Sequence, residues 1–141
     1  MNYYFAAFKK YAVFSGRAQR AEYWYFVLFN IVVTVAISAI SAIIGFVASN
    51  MLGLAIGGLI DSFIKFVVTL LYCLAVFIPG LAVAVRRLHD VGKNGWMLLI
   101  ALIPIIGAIW LIVLLATDSN PGENKYGPNP KGVAAAGTVT V

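Results

Sequence analysis

The residues that could carry chemistry lie in two polar clusters, each beside a long apolar stretch. One cluster lies in SGRAQRAEYW and the other in RRLHD. Guanidinium groups bind phosphate and carboxylate through paired hydrogen bonds. The clusters therefore predict either an ion-pair network inside the protein or a contact surface for an anionic lipid headgroup or a partner protein. Their members are Arg17, Arg20, Glu22, Arg86, Arg87, His89 and Asp90.

A metal or catalytic role for His89 is disfavoured. It is the only histidine, and neighbouring residues on a helix point about 100° apart, so Asp90 would not face it as a relay. The single cysteine, Cys73, lies in an apolar run, which excludes an intramolecular disulfide and a cysteine-based zinc site. We expect no catalytic residue, metal or cofactor. His89 is predicted to satisfy an interfacial hydrogen bond, with pH sensing as the alternative.

The composition is that of a membrane protein. Hydrophobic residues make up 62% of the chain and charged residues 11%, whereas charged residues are about 25% of a soluble domain. A small soluble domain could not bury so much apolar surface. The net charge of +5 comes from basic residues grouped at 9–20 and 86–93, beside the apolar stretches. This pattern indicates contact with anionic lipid rather than with nucleic acid.

Three stretches with at most one charged residue are long enough to cross a hydrocarbon core of about 30 Å. They predict an all-α membrane protein with about three transmembrane helices. Residues 51–60 are too few for a span and predict a re-entrant or interfacial segment, although a fourth crossing is the alternative. The predicted spans are Tyr23 to about Ala48, Phe63 or Phe66 to Val85, and Trp96 to Thr117, with Pro104 as a kink in the last.

The two ends of the chain lie outside the spans. Residues 1–22 predict an N-terminal amphipathic interfacial helix, with aromatic side chains toward lipid and Lys9 and Lys10 toward headgroups. We expect no cleavable signal peptide, because the first apolar run is far longer than a signal h-region. Residues 1–130 are predicted to form one membrane domain and 131–141 a flexible tail. The basic flanks predict a cytoplasmic N-terminus.

Small residues and one charge pair carry a second set of predictions. Asp61 and Lys65 are four residues apart, which predicts a pair on one helix face at the outer interface. Within the hydrocarbon the same pair would indicate a transport pathway. Small side chains spaced by four residues predict close helix packing, within the monomer or between copies. These are Ser41, Gly45, Ser49, Gly53 and Gly57.

Four motifs occur in the order found in a known family. They are GRAQRAEYW, PGLAVAVRRLHDVGKNGW, IPIIGAIW and NPGENKYGPNP. The chain resembles, over residues 5 to 130, the small bacterial inner-membrane proteins catalogued as domain of unknown function 805. The resemblance implies a bacterial inner-membrane location. The family has no established activity, so the resemblance adds no mechanism.

We therefore expect a non-enzymatic component of the inner membrane, whose basic cytoplasmic face contacts anionic lipid or a partner protein. The first alternative is a subunit of a small transporter or channel, which would require a homo-oligomer because three helices rarely enclose a pathway. The weaker alternative is a membrane enzyme that acts on lipid headgroups through His89, Asp90 and the arginines.

Overall fold

A computed structural model of the protein describes residues 8–132, and within this range the regular structure is helical. Helix α1 spans Arg20–Leu52 and helix α2 spans Leu54–Asp90. A 3₁₀ helix at Gly95–Leu102 and helix α3 at Ile106–Ala116 follow. The described residues contain no strand, only an isolated bridge between Asn124 and Gly127. The all-helical prediction is confirmed.

Two of the described helices, α1 and α2, are long and apolar enough to cross a membrane. They contain 33 and 37 residues. At about 1.5 Å per residue, both exceed the hydrocarbon thickness of about 30 Å. Only 11% of the most apolar stretch of α1 is buried, and only 17% of the most apolar stretch of α2. A core helix of a soluble protein would be mostly buried, so lipid is the natural surrounding of these two helices.

The chain divides into two compact units. The first consists of Met1–Phe26 with Ile78–Val141, as far as these are described, and the second of Val27–Phe77. In the first unit, Leu88, Leu114 and Leu115 form a buried cluster. Four partly buried side chains pack against this cluster, from the first turn of α1, the 3₁₀ helix and α3. They are Tyr23, Met97, Leu98 and Leu111.

The second unit is a helical hairpin that reverses at Gly53. This glycine has φ +90°, a backbone angle that residues other than glycine rarely adopt. Its N–H donates to the Ser49 carbonyl at 3.0 Å. On either side of the turn, α1 and α2 approach closely. A Cβ on Gly57 would collide with the Ser49 backbone, and one on Gly45 would lie 2.5 Å from the Asp61 Cβ. Small residues on each helix thus face the other helix of the same chain.

Residues 51–60 do not form the separate segment that the sequence predicts. They are the last residues of α1, the turn at Gly53 and the first turns of α2. Helix α1 continues to Leu52, beyond the predicted end of the first span at about Ala48. The physical reason is that only one residue with positive φ is needed to reverse the chain, and Gly53 supplies it.

The third predicted span is not a continuous helix. The 3₁₀ helix ends at Leu102, and α3, with 11 residues, begins only at Ile106. Pro104 lies in the break, and because it has no N–H and its ring crowds the preceding turn, it interrupts the helix rather than kinking it. At about 1.5 Å per residue, α3 is too short to cross a membrane alone.

The terminal predictions lie mostly outside the described residues. Of the N-terminal amphipathic helix, residues 1–7 are outside, and the described part is helical only at residues 8 and 9 before a turn. Of the predicted tail at 131–141, residues 133–141 are outside.

Candidate functional site

The structure brings the two polar clusters together in the first unit. The loop before α1 carries Arg17, and the first turn of α1 carries Arg20 and Glu22. The last turns of α2, beyond the apolar stretch that ends at Val85, carry the other four residues. Five of the seven predicted residues are buried, namely Arg17, Glu22, Arg86, Arg87 and Asp90. We refer to these five as the buried network.

Asp90 is the centre of the buried network. Its Oδ1 accepts a hydrogen bond from Arg17 Nε at 2.9 Å. Its Oδ2 accepts from Arg87 Nη1 and from the Ser119 hydroxyl, the latter at 2.5 Å. The carboxylate is fully buried, and a buried charge is tolerated only where it is paired and hydrogen-bonded. Two guanidinium groups and a hydroxyl meet that requirement here.

Arg17 joins the N-terminal segment to the segment that follows α3. Besides Asp90, it donates from Nη1 to the Gly122 carbonyl at 2.8 Å and from Nη2 to the Asn120 carbonyl at 2.7 Å. A third carbonyl, of Gly127, accepts from Nη1 at 3.2 Å. The guanidinium thus holds the turns of residues 118–132, which we call the C-terminal strap.

Arg87 caps the end of α3. Its Nε donates to the Leu115 carbonyl at 3.0 Å, and its Nη2 donates to the Thr117 carbonyl. The last carbonyls of a helix have no partner within the helix, and a cation near them is stabilising. Burial lowers the pKa of Arg87, while Asp90 and Asp118 oppose that shift and Arg20 adds to it.

Arg86 and Glu22 form the second ion pair of the buried network. Arg86 Nη1 donates to Glu22 Oε1 at 2.6 Å, and both side chains are buried. The Arg86 carbonyl accepts from the Ala18 N–H at 3.0 Å, which fixes the chain before α1 against α2. The Nε and Nη2 atoms of Arg86 are buried without a hydrogen-bond partner among the described residues.

His89 faces away from the Asp90 carboxylate. Its Nδ1–H donates to the Gly16 carbonyl at 3.2 Å, and its ring stacks on Tyr126 with centroids 3.8 Å apart and planes 7° apart. Burial lowers the pKa of His89, the hydrogen bond to Gly16 opposes this shift, and Lys125 adds to it. The carboxylate oxygens of Asp90 bind the arginines and Ser119, so the two adjacent residues form no relay.

Arg20 lies outside the buried network. It is exposed, lies 3.4 Å from Asp118 Oδ2, and donates to the Ala116 carbonyl at 3.4 Å. Asp118 is also paired with Lys131. The hydrogen bond from Lys131 lowers the pKa of Asp118, and the Ser119 N–H acts in the same direction. This is a solvated surface cluster, which contributes little to stability.

The second unit holds the other predicted residues. Within the described residues, no ion pair joins Asp61 to Lys65, and the Asp61 Oδ1 is buried without a hydrogen-bond partner where its side chain packs on Gly45. Ser41 is buried, with its hydroxyl donating to the Ser38 carbonyl at 3.2 Å. Cys73 is exposed on α2. No group of three potential metal ligands occurs in residues 8–132.

Sequence reasoning missed the C-terminal strap as part of the site. The sequence analysis placed residues 118–130 in the membrane domain without assigning them to the site, yet their carbonyls are the main acceptors of Arg17. Asn120, Gly122 and Gly127 were visible as turn formers. Turns leave carbonyls unpaired, which is the one signal that could have suggested an arginine partner.

Two membrane-length apolar helices with a buried ion-pair network at one end define a helical membrane protein. Comparison with known sequences gives the family. The chain belongs to the family described as Protein of unknown function (DUF805), whose model matches residues 11–128.

Two relatives from Escherichia coli K12 support this assignment. The chain is similar to Inner membrane protein YhaH, at 37% identity over 131 residues, which cover 93% of this chain and 98% of the relative. It is equally similar to Inner membrane protein YhaI, where 97% of the relative is covered. These names state a location and no activity. No solved structure matches the chain.

Proposed function

We propose that the protein is a non-enzymatic component of the bacterial inner membrane, whose cytoplasmic face binds anionic lipid headgroups through exposed lysines. The observation that supports this most directly is a division among the basic residues. Arg17, Arg86 and Arg87 are buried and bind groups of the protein itself. The lysines of the same unit are exposed at its surface. They are Lys9, Lys10, Lys93, Lys125 and Lys131.

Apolar side chains beside these lysines fit a membrane surface. Next to Lys10, Tyr11, Val13 and Phe14 are exposed, and Trp96 follows Lys93 with 76% of its surface exposed. Aromatic rings at headgroup level beside basic residues are typical of the membrane interface. A lysine near an anionic surface contributes about 1 kcal/mol to binding, so several together would give a measurable lipid preference.

The orientation follows from the distribution of positive charge. Nine of the ten Lys and Arg residues belong to the first unit, and Lys65 alone belongs to the second. If α1 and α2 cross the bilayer, the positive-inside rule places the basic end, with the N-terminus, in the cytoplasm. The anionic cytoplasmic leaflet would then attract this end of the protein.

The contacts of His89 and Asp90 support a non-enzymatic role. The Asp90 carboxylate is fully buried between two arginines, and His89 Nδ1 is engaged with the Gly16 carbonyl. A general acid or base must reach the proton that it transfers. Neither group is arranged to act on a lipid headgroup.

The test is the composition of the lipid shell around the full-length protein in nanodiscs with equal phosphatidylglycerol and phosphatidylethanolamine. We expect enrichment of phosphatidylglycerol that weakens with salt. The combined variant Lys9→Gln, Lys10→Gln, Lys93→Gln, Lys125→Gln keeps only Lys131, which is paired with Asp118, and should lose most of this enrichment. The control Lys65→Gln, which changes a lysine of the second unit, should keep it.

Two results would contradict the proposal. One is a wild-type protein with no preference between the two lipids. The other is a preference that persists in the four-lysine variant. If that variant instead stops the recovery of one particular membrane protein during purification, the lysines contact a protein partner.

A further inference from the structure

The apolar segment from the 3₁₀ helix through α3 begins and ends beside the same turns of α2. At its start, the Lys93 N–H donates to the Leu88 carbonyl at 2.9 Å, and Gly95 packs so closely on Val85 that a Cβ would lie 2.8 Å from Val85 Cγ1. At its end, Arg87 binds the carbonyls of Leu115 and Thr117. The Asn120 N–H then donates to the Asp90 carbonyl at 3.0 Å.

Each arm of this segment reaches about halfway across a bilayer. The 3₁₀ helix has 8 residues and α3 has 11. At about 2.0 Å and 1.5 Å per residue, each arm is roughly 16 Å long. The hydrocarbon core is about 30 Å thick. Between Trp96 and Ala116 the sequence has no charged residue, and the exposed side chains at the turn are aliphatic.

The turn between the arms pairs part of its own backbone. The Ile103 N–H donates to the Ile100 carbonyl at 3.0 Å, and the Ile106 N–H donates to the Pro104 carbonyl at 2.7 Å. The Gly107 N–H donates to the Ile103 carbonyl at 3.1 Å. The Ile109 N–H donates to the Ile105 carbonyl at 3.0 Å, and Pro104 has no N–H.

Gly107 is required at this turn, because any Cβ there would collide with the Ile100 carbonyl. Irregular backbone facing lipid is excluded from the hydrocarbon because its polar groups lack partners. The hydrogen bonds within this turn lower that cost. Its side chains, Leu102, Ile103, Ile105 and Ile106, are all more than half exposed.

We propose that residues 95–116 form a re-entrant pair, which enters the membrane from the basic end of the protein, turns near the bilayer centre at Ile103–Ile105 and returns. The chain then crosses the bilayer twice, through α1 and α2, and the C-terminal strap lies on the same side as the N-terminus. The cytoplasmic assignment of that side rests on the proposed function, but the re-entrant geometry does not.

This arrangement agrees with the contacts and with the charges. Arg17 holds the C-terminal strap by three carbonyls, and Gln19 Nε2 donates to the Pro130 carbonyl at 2.9 Å. A third full crossing would place a membrane between these partners. It would also move Lys125 and Lys131 to the outer side, against the positive-inside rule.

The test uses single-cysteine variants in a Cys73→Ser background, labelled with a membrane-impermeant maleimide in cells with an opened outer membrane and an intact inner membrane. Gly58→Cys reports on the hairpin turn, where a Cβ meets nothing within 4 Å. Lys93→Cys and Glu123→Cys, both at exposed positions, report on the two ends of the pair. Ile105→Cys reports on its turn.

We expect Gly58→Cys to be labelled from outside, and Lys93→Cys and Glu123→Cys only after the inner membrane is opened. Ile105→Cys should stay unlabelled until the protein is denatured. Labelling of Glu123→Cys from outside while Lys93→Cys is protected would show a full crossing and overturn the inference. So would labelling of Ile105→Cys together with both ends, because the segment would then lie in water.

If Lys93→Cys and Glu123→Cys are both labelled from outside and Gly58→Cys is protected, the re-entrant pair stands and the proposed orientation fails.

Reporter fusions to the C-terminus give a second measurement of the side on which it lies. A fluorescent protein at the C-terminus should fold and an alkaline phosphatase there should be inactive. The opposite pair of results, with Gly58→Cys labelled from outside, would also overturn the inference.

Discussion

The Arg17 guanidinium and the Asp90 carboxylate are 73 residues apart in the chain and lie 2.9 Å apart in the structure, with both side chains almost completely buried. This contact joins the loop before α1 to the end of α2. The Asp90 carboxylate also accepts hydrogen bonds from Arg87 and from Ser119, so it joins the loop before α1, the end of α2 and the C-terminal strap.

Replacing Asp90 should therefore destabilise the protein strongly. Asp90→Ala leaves Arg17 and Arg87 buried without their carboxylate, and breaking a buried pair from one side costs about 3–5 kcal/mol. Denaturant unfolding in detergent, followed by circular dichroism, measures the change. The control Glu123→Gln alters an exposed acid and should be near neutral. Equal stability of the two variants would show that the buried network does not hold the fold.

The Arg86–Glu22 pair should behave differently when it is removed as a unit. Glu22→Leu alone leaves a buried guanidinium unpaired, whereas Glu22→Leu with Arg86→Met replaces both charges by apolar groups. Such replacements are often neutral, and two Arg86 nitrogens already lack a partner. We expect the double variant to recover most of the stability lost in the single variant. Additive losses in a double-mutant cycle would rule out this account.

Two adjacent glycines in α2 should respond in opposite directions. Gly57→Ala should destabilise the hairpin, because its Cβ would overlap the Ser49 backbone. Gly58→Ala meets open space, and alanine is favoured over glycine in a helix by about 0.5–1 kcal/mol. Thermal unfolding of the two variants gives the comparison. A Gly57→Ala protein as stable as Gly58→Ala would mean that the helices do not pack closely at Ser49.

His89 should titrate below its usual pKa of 6.5, because burial against Tyr126 disfavours the charged ring. The unfolded chain then binds a proton that the folded chain does not. The free energy of unfolding is thus fully retained above pH 6.5 and falls as the pH drops from there toward the folded pKa.

The chain has one histidine, so its NMR signal in detergent is unambiguous. Tyr126→Ser, which exposes the ring, should move the pKa back toward 6.5. Lys125→Gln should give a smaller shift in the same direction. A wild-type pKa above 6.5 would contradict the burial of the ring.

Much of the site could be named from the sequence, but not the partners of its residues. The position of Arg17, Glu22, Arg86 and Asp90 beside apolar stretches marked them as members of two polar clusters, because charges near a span must lie at its ends. Which arginine meets which acid depends on the register of α1 against α2. Within the first unit, the hydrogen bond from the Ala18 N–H to the Arg86 carbonyl fixes that register.

The composition of the chain and its uncharged stretches were enough to predict the class of protein. Sixty-two per cent hydrophobic residues and long uncharged stretches require lipid as solvent, whatever the packing. Membrane residence and the helical class therefore followed from the sequence by itself.

The tertiary structure decided what the apolar stretches become and what the arginines bind. Residues 96–117 have the composition of a span, but Pro104 and the close approach of Gly107 to Ile100 fold them into two short arms. Arginine is a residue type that binds lipid phosphates, and a cluster of arginines therefore suggests a lipid site. Here, however, Arg17, Arg86 and Arg87 are buried by contacts with residues distant in sequence. Hydrophobicity is additive along a chain, whereas burial and pairing depend on which distant segments meet.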